Sequence, residues 1–107
     1  MKPLDKIIEA INESTEKYEL CKIGDTHTQS EILQSLSANV YFLTEYRIHF
    51  HKQWMKSYFE SSGGSSAAKE RFADNDVPEL YTVRHMMASG NKVLDSLRTI
   101  ISANKNG

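Results

Sequence analysis

Residues 30–61 read as one unbroken helix, and that helix constrains the fold more than any other feature of the chain. With a start near Thr28 it holds about 30 residues, and a rise of ~1.5 Å per residue makes a rod of about 45 Å. A compact domain of 107 residues has little room for such a rod. Thr28 with Glu31 three residues later forms a capping-box pattern, in which each side chain satisfies a backbone N–H. Ile32, Leu33, Leu36, Val40, Leu43, Phe50 and Trp54 fall on one apolar face, and Tyr41, Ile48, Met55 and Phe59 lie roughly opposite. Glu45, His49, Lys52 and Lys56 form a narrow polar stripe between the two. A helix that is apolar on two sides is sandwiched between neighbours or shared with another subunit.

The rest of the chain also reads as helix. Residues 3–23 carry Leu4, Ile7, Ile8, Ile11 and Tyr18 at helical spacing, with Glu9, Glu13, Glu16 and Lys17 on the other face. Pro3 suits a first turn, and Gly24 suits a left-handed stop. The run Ser61-Ser62-Gly63-Gly64-Ser65-Ser66 is a flexible linker, too costly in entropy to stay helical. A short helix over residues 67–73 follows, then a turn at Asp74-Asn75-Asp76. Asp76 with Glu79 makes a second capping box, and Pro78 sits in the next first turn.

In the last helix, residues 77–103, Leu80, Val83, Met87, Gly90, Leu94, Leu97 and Ile101 recur at spacings of three and four, the pattern of a coiled-coil seam. Met86, Val93 and Ile100 widen it. Gly90 weakens the helix by ~1 kcal/mol against alanine, so it fits the close approach of another helix. The seam suits either an intramolecular helix pair or a subunit contact, and the two-sided second helix favours the subunit contact. Residues 104–107 read as a frayed tail, and no internal repeat is present. The expected fold class is therefore all-α: one domain over residues 1–107, a small bundle of three long helices plus a short fourth, assembling as a homo-oligomer.

Composition narrows the functional classes. Thirteen Lys and Arg against fourteen Asp and Glu give a net charge of −1, unlike a strongly basic nucleic-acid binder or an acidic mimic. The single cysteine, Cys21, forms no internal disulfide and fits a reducing cytoplasm. No apolar run approaches the roughly 20 residues of a membrane span, and the first residues lack the apolar stretch of a signal peptide. An intracellular, cytoplasmic protein is expected.

Against this balance, one local run stands out. Arg47-Ile48-His49-Phe50-His51-Lys52-Gln53-Trp54-Met55-Lys56 holds three permanent cations and two histidines with no acid among them. Single-stranded nucleic acid is bound by cations that track phosphates and by aromatic faces that stack on bases. Arg47, Lys52 and Lys56 supply the first, joined on the last helix by Lys92 and Arg98, and Trp54, Tyr58 and Phe59 supply the second. The competing reading puts Phe50 and Trp54 in the core and leaves the lysines on a solvated stripe. A ring of subunits would repeat a weak basic stripe and gain avidity.

Other chemistry finds little support. His49 and His51 point about 160° apart on a helix, so they do not share a metal. Glu45 and His49 are four apart, where di-metal bundle sites use three, and His27 and His85 stand alone. Activated thiolates favour helix N-termini, whereas Cys21 closes a helix among Leu20 and Ile23. Ser62-Gly63-Gly64-Ser65 lacks the Lys-Ser/Thr of a phosphate-cradling loop, and no Gly-x-Ser-x-Gly elbow occurs. No enzyme, metal or cofactor is expected.

Three segments carry a resemblance to a known family. Leu36-Ser37-Ala38-Asn39-Val40-Tyr41-Phe42-Leu43 is similar to an Ala-Asn-Asn-Val stretch followed by large apolar residues. Met55-Lys56-Ser57-Tyr58-Phe59 before Gly63-Gly64 is similar to a basic, paired-aromatic segment ending at a glycine loop. Residues 80–101 match a C-terminal amphipathic helix with an interior glycine. Together they resemble the phage recombination mediators of the UvsY type. Of the family's basic pair only Lys56 is matched, with Trp54 in place of the preceding cation, and the second helix is shorter. The resemblance implies a ring-forming helical oligomer that binds single-stranded DNA and assists recombinase loading, with recombinase and single-strand-binding protein as partners. The alternative is a helical protein–protein interaction module, such as a phage inhibitor of a host or defence protein, docking by helix-in-groove contact.

Overall fold

The structure, a computed structural model, describes residues 2–106. Four helices follow one another: α1 Leu4–Leu20, α2 Thr26–Glu60, α3 Ser66–Asp76 and α4 Pro78–Asn106. The fold is an all-α bundle, as the periodicities predict. Its length follows from α2, whose 35 residues make a rod of about 52 Å at ~1.5 Å per residue. The molecule measures 59 × 26 × 19 Å. Its radius of gyration is 17.6 Å, against about 13 Å for a compact chain of this length.

No other helix can cover α2 alone, so its neighbours divide it into two tiers. α1 and the second half of α4 pack on its first half, while α3 and the first half of α4 pack on its second half; α1 and α3 do not meet. α1 runs antiparallel to α2. The Tyr46 hydroxyl donates to the Lys2 carbonyl at 2.6 Å, and the Ser14 hydroxyl lies 3.5 Å from that of Ser35. The first tier holds the core, in which Ile7 and Ile11 of α1 meet Ile32, Leu36, Val40 and Leu43 of α2 and Val83, Val93, Leu94 and Leu97 of α4. The second tier is thin: Ala73, Val77 and Leu80 are buried there beside Ser57. No helix is long and apolar enough to cross a membrane among the described residues.

The α4 seam is intramolecular. Leu80, Val83, Gly90, Leu94 and Leu97 are buried within the chain, and Met87 and Ile101 are half-buried. Of the residues read as a subunit contact, Val83, Met87, Gly90, Leu94 and Leu97 pack inside the chain and the reading is corrected for them, whereas Ile101 lies outside that core cluster. A Cβ built on Gly90 would lie 2.6 Å from Val40 Cγ2 and 3.6 Å from Leu36 Cδ1. The glycine thus lets α4 approach α2, as its place in the seam predicts, but the helix it admits belongs to the same chain.

Several helix ends differ from expectation. α1 stops at Leu20 and Gly24 has no left-handed conformation; Cys21 turns extended instead, at φ −73 and ψ 135. The loop is held by the buried Gln29 amide, which donates to the carbonyls of Ile23 at 2.8 Å and Lys22 at 3.4 Å. α2 is capped by Asp25 rather than by the Thr28–Glu31 box. Its carboxylate accepts from the Thr28 N–H at 3.1 Å and the Thr28 hydroxyl at 2.7 Å, and these bonds lower its pKa. Glu31 pairs with His27 instead, at 3.0 Å.

Residues 74–76 form the last turn of α3 and not a free turn. Asp76 accepts a hydrogen bond from the Ser57 hydroxyl across the α2–α3 joint, so it does not act as the expected cap. The Ser/Gly linker is real but brief: Gly63 and Gly64 take φ of 138 and 97, and Ser65 caps α3 through the Ala68 N–H. α4 continues through Asn106, beyond the expected fraying point, and Gly107 lies outside the described residues.

The crossing at Gly90 yields a test of sign. Gly90→Ala gains about 1 kcal/mol of helix propensity but overpacks a stiff valine, at about 1–3 kcal/mol. Urea unfolding should show a net loss of about 1 kcal/mol. In a Val40→Ala background the same substitution should become stabilising, and a sign that fails to reverse would refute the close-contact account.

Candidate functional site

The second tier brings the basic run of α2 against α4. Arg47, His51, Trp54 and Tyr58 follow at spacings of four, three and four, so they share one helix face. Ile48 and Lys52 lie beside them. Across the groove stands Arg84 of α4, whose Nη2 makes a long 3.4 Å hydrogen bond to His51 Nδ1. A guanidinium only donates, so Nδ1 is the acceptor. Arg47, Ile48, His51, Lys52 and Arg84 line a surface groove of about 300 Å³. No carboxylate lines it. The ion pairs among the described residues are Lys6–Glu9, His27–Glu31 and Arg98–Asp95, so Arg47, Lys52 and Arg84 have no carboxylate within 4.0 Å. Three permanent cations and an imidazole therefore face one hollow with an aliphatic floor.

The aromatic members are placed differently. Trp54 is half-buried, with His51 nearly parallel on one side at 6.2 Å and Tyr58 on the other at 5.5 Å. Its indole N–H donates to Asp74 of α3 at 2.8 Å. Tyr58 is held in turn between Trp54 and the Lys69 ammonium, 5.9 Å from its ring centre. Both rings belong to the joint that fixes α3 on α2, and their faces are flanked by protein. Trp54 and Tyr58, expected to stack on bases, are half-buried at this joint.

The remaining cations scatter. Lys56 is exposed on α2 but does not line the groove. Lys92 lies about 12 Å further along α4 than Arg84, at eight residues and ~1.5 Å each. Arg98 is further still and is paired with Asp95 at 3.5 Å. The structure thus joins Arg47 and Lys52, leaves Lys56 one turn beyond Lys52 and outside the groove lining, and sets Lys92 and Arg98 apart.

Arg84 is the residue that sequence reasoning missed. It sits 33 residues from its partner His51. The signal available was indirect: Arg84 falls between the seam positions Val83 and Met87, hence on an exposed side of α4. Which helix lay beside it was not encoded locally. No cluster of three or more His, Cys, Asp or Glu suited to a metal occurs among the described residues.

No protein-family model matches the chain, and neither a curated protein nor a solved structure is significantly similar to it.

The Trp54–Asp74 bond gives the second prediction. Asp74→Ala should lower stability by about 1 kcal/mol, the net value of one such hydrogen bond. Trp54 is the only tryptophan, so its emission reports the joint directly. The variant should shift that emission to the red as α3 loosens. An unchanged spectrum and an unchanged unfolding midpoint would remove Asp74 from the joint.

Proposed function

We propose that the protein is a non-catalytic accessory that binds single-stranded DNA through the α2–α4 groove, of the kind that assists recombinase loading. One observation carries the reading: Arg47, Lys52 and Arg84 converge from two helices, with His51 between them, on a groove that no carboxylate lines. Like charges brought together without a counter-charge repel one another, and a bound polyanion relieves that repulsion while releasing its own counterions. A flexible single strand can bend its phosphates into a short groove. The contribution of the protein is then electrostatic, and its affinity depends on salt.

The reading also has the protein self-associating, which multiplies a three-cation groove into a longer track. Since the α4 seam is spent inside the chain, the contact proposed is the outer face of α2. Tyr41 and Phe59 are 69% and 70% exposed there. Replacing Tyr41 and Phe59 together by serine should lower the mass seen by light scattering without changing helix content. A wild-type chain that is already monomeric at high concentration would end this proposal and leave DNA binding to a single groove.

Fluorescence anisotropy of a labelled single-stranded oligonucleotide, taken across a salt series, tests the main reading. Each phosphate contact adds about 0.7 to the slope of log affinity against log salt for a single strand. The wild type should weaken with salt at a slope of about two, set by three cations. Arg47→Ala and Arg84→Ala should each flatten that slope by about 0.7. Lys56→Ala, outside the groove, should leave it within error. Absence of binding at micromolar protein in low salt would refute the reading.

A further inference from the structure

Beside the cationic groove lies a second hollow of about 560 Å³, lined by Asp74, Val77, Pro78, Leu80, Tyr81, Thr82 and Arg84. Arg84 stands in the wall of both hollows, so they adjoin across its side chain. Tyr81 is 75% exposed, among the most open of the large apolar side chains. Its ring lies nearly parallel to that of His85, four residues on, at 6.0 Å and an interplanar angle of 10°. A centroid separation of that size means the rings are offset rather than eclipsed. Tyr81 is thus oriented by His85 on one side and open on the other. Nothing in the core requires an aromatic there, because the neighbouring seam positions are Leu80 and Val83.

We infer that Tyr81, steadied by His85, is the platform on which a base of the bound strand stacks, its phosphates lying across Arg84 in the adjoining cationic groove. The inference rests on the single-strand reading above and moves the stacking role from α2 to the start of α4. Three features carry it. The ring is open, whereas Trp54 and Tyr58 are half-buried in the α2–α3 joint. It lies one helical turn from Arg84, so a cation and an aromatic face neighbour each other as single-strand sites require.

Charge also sorts the strand. The Asp74 carboxylate lines only the Tyr81 hollow, so a phosphate is repelled there and held on the Arg47–Lys52–Arg84 side. A base carries no such charge, and its apolar faces suit Val77, Pro78 and Leu80. Asp74 Oδ1 already accepts the Trp54 N–H, and the other carboxylate oxygen can accept from a base amine.

The experiment compares two strands of equal length, one normal and one abasic, against the wild type, Tyr81→Ala and Tyr81→Phe. Tyr81 is a surface residue, and circular dichroism verifies that the variants fold. On the normal strand Tyr81→Ala should lose roughly tenfold in affinity, the scale of one stacked base, and Tyr81→Phe should restore it. On the abasic strand all three proteins should bind alike, with the same salt slope. A 2-aminopurine in the normal strand should be quenched by the wild type and not by Tyr81→Ala. Equal binding of the normal strand by wild type and Tyr81→Ala, with salt dependence intact, would overturn the platform and leave the groove standing. So would an equal loss on both strands, because a residue that only props up the groove would behave that way. Failure of the wild type to bind either strand would overturn the groove, and the platform with it.

Discussion

The crossing of α2 and α4 at Gly90 leaves no room for a side chain, and both long helices are held in register there. Any side chain at that position would run into Val40 Cγ2, which is itself fixed in the first-tier core. Because the contact sits near the middle of both long helices, it sets their separation in each direction. Leu94 and Leu97 close the core on one side, and Val83 and Leu80 follow on the other. Arg84 lies six residues before Gly90, about 9 Å along the helix, and its long side chain reaches on to His51. The close approach at Gly90 thus helps set how far Arg84 stands from α2.

The second constraint is a mismatch of lengths. α2 has 35 residues and α1 only 17, so half of the α2 side that α1 covers would be bare without another partner. α3 supplies it, but with 11 residues and one buried side chain, Ala73, it brings little apolar surface. Polar contacts carry that joint instead: Trp54 to Asp74, Ser57 to Asp76, and the Lys69 ammonium over Tyr58. Such contacts are directional, and a net hydrogen bond contributes about 1 kcal/mol where a buried leucine contributes two or three times that. The second tier is the weaker half of the rod, and both hollows of the candidate site lie in it.

The long-range order of this fold was legible where a single helix determines it. The spacing of Ile32, Leu36, Val40 and Leu43 marked a buried face, the α4 seam marked another, and Gly63-Gly64 marked the turn between α2 and α3. What the sequence left open were choices between chemically equivalent partners. Asp25 and Thr28 are both good caps, and Asp25 prevails because its carboxylate reaches both the N–H and the hydroxyl of Thr28. A seam with glycine suits a second subunit as well as a second helix, and only the presence of Val40 and Leu36 opposite Gly90 decides between them. Trp54 fits a core face, a stacking site or a joint. Its role follows from Asp74, 20 residues away in an element that local periodicity makes too short. Arg84 and Tyr81 drew no notice because nothing adjacent in sequence marks them.

The near-zero net charge conceals local imbalance. α1 carries five acids and two bases, a net of 5 − 2 = 3 negative charges, while the groove gathers Arg47, Lys52 and Arg84. Glu13, Glu16 and Glu19 sit near or beyond the level of Ser35, since Ser14 faces that residue. From there to Arg47 is 12 residues of α2, about 18 Å along its axis. The Debye length at physiological ionic strength is about 8 Å, so these acids are screened from the groove by roughly two such lengths. The α1 acids thus take little from the groove's potential; Glu45, two residues from Arg47, and Asp74, in the adjoining hollow, are the acids that reduce it. Only at low salt, where the screening length grows, would the α1 acids be felt at the groove.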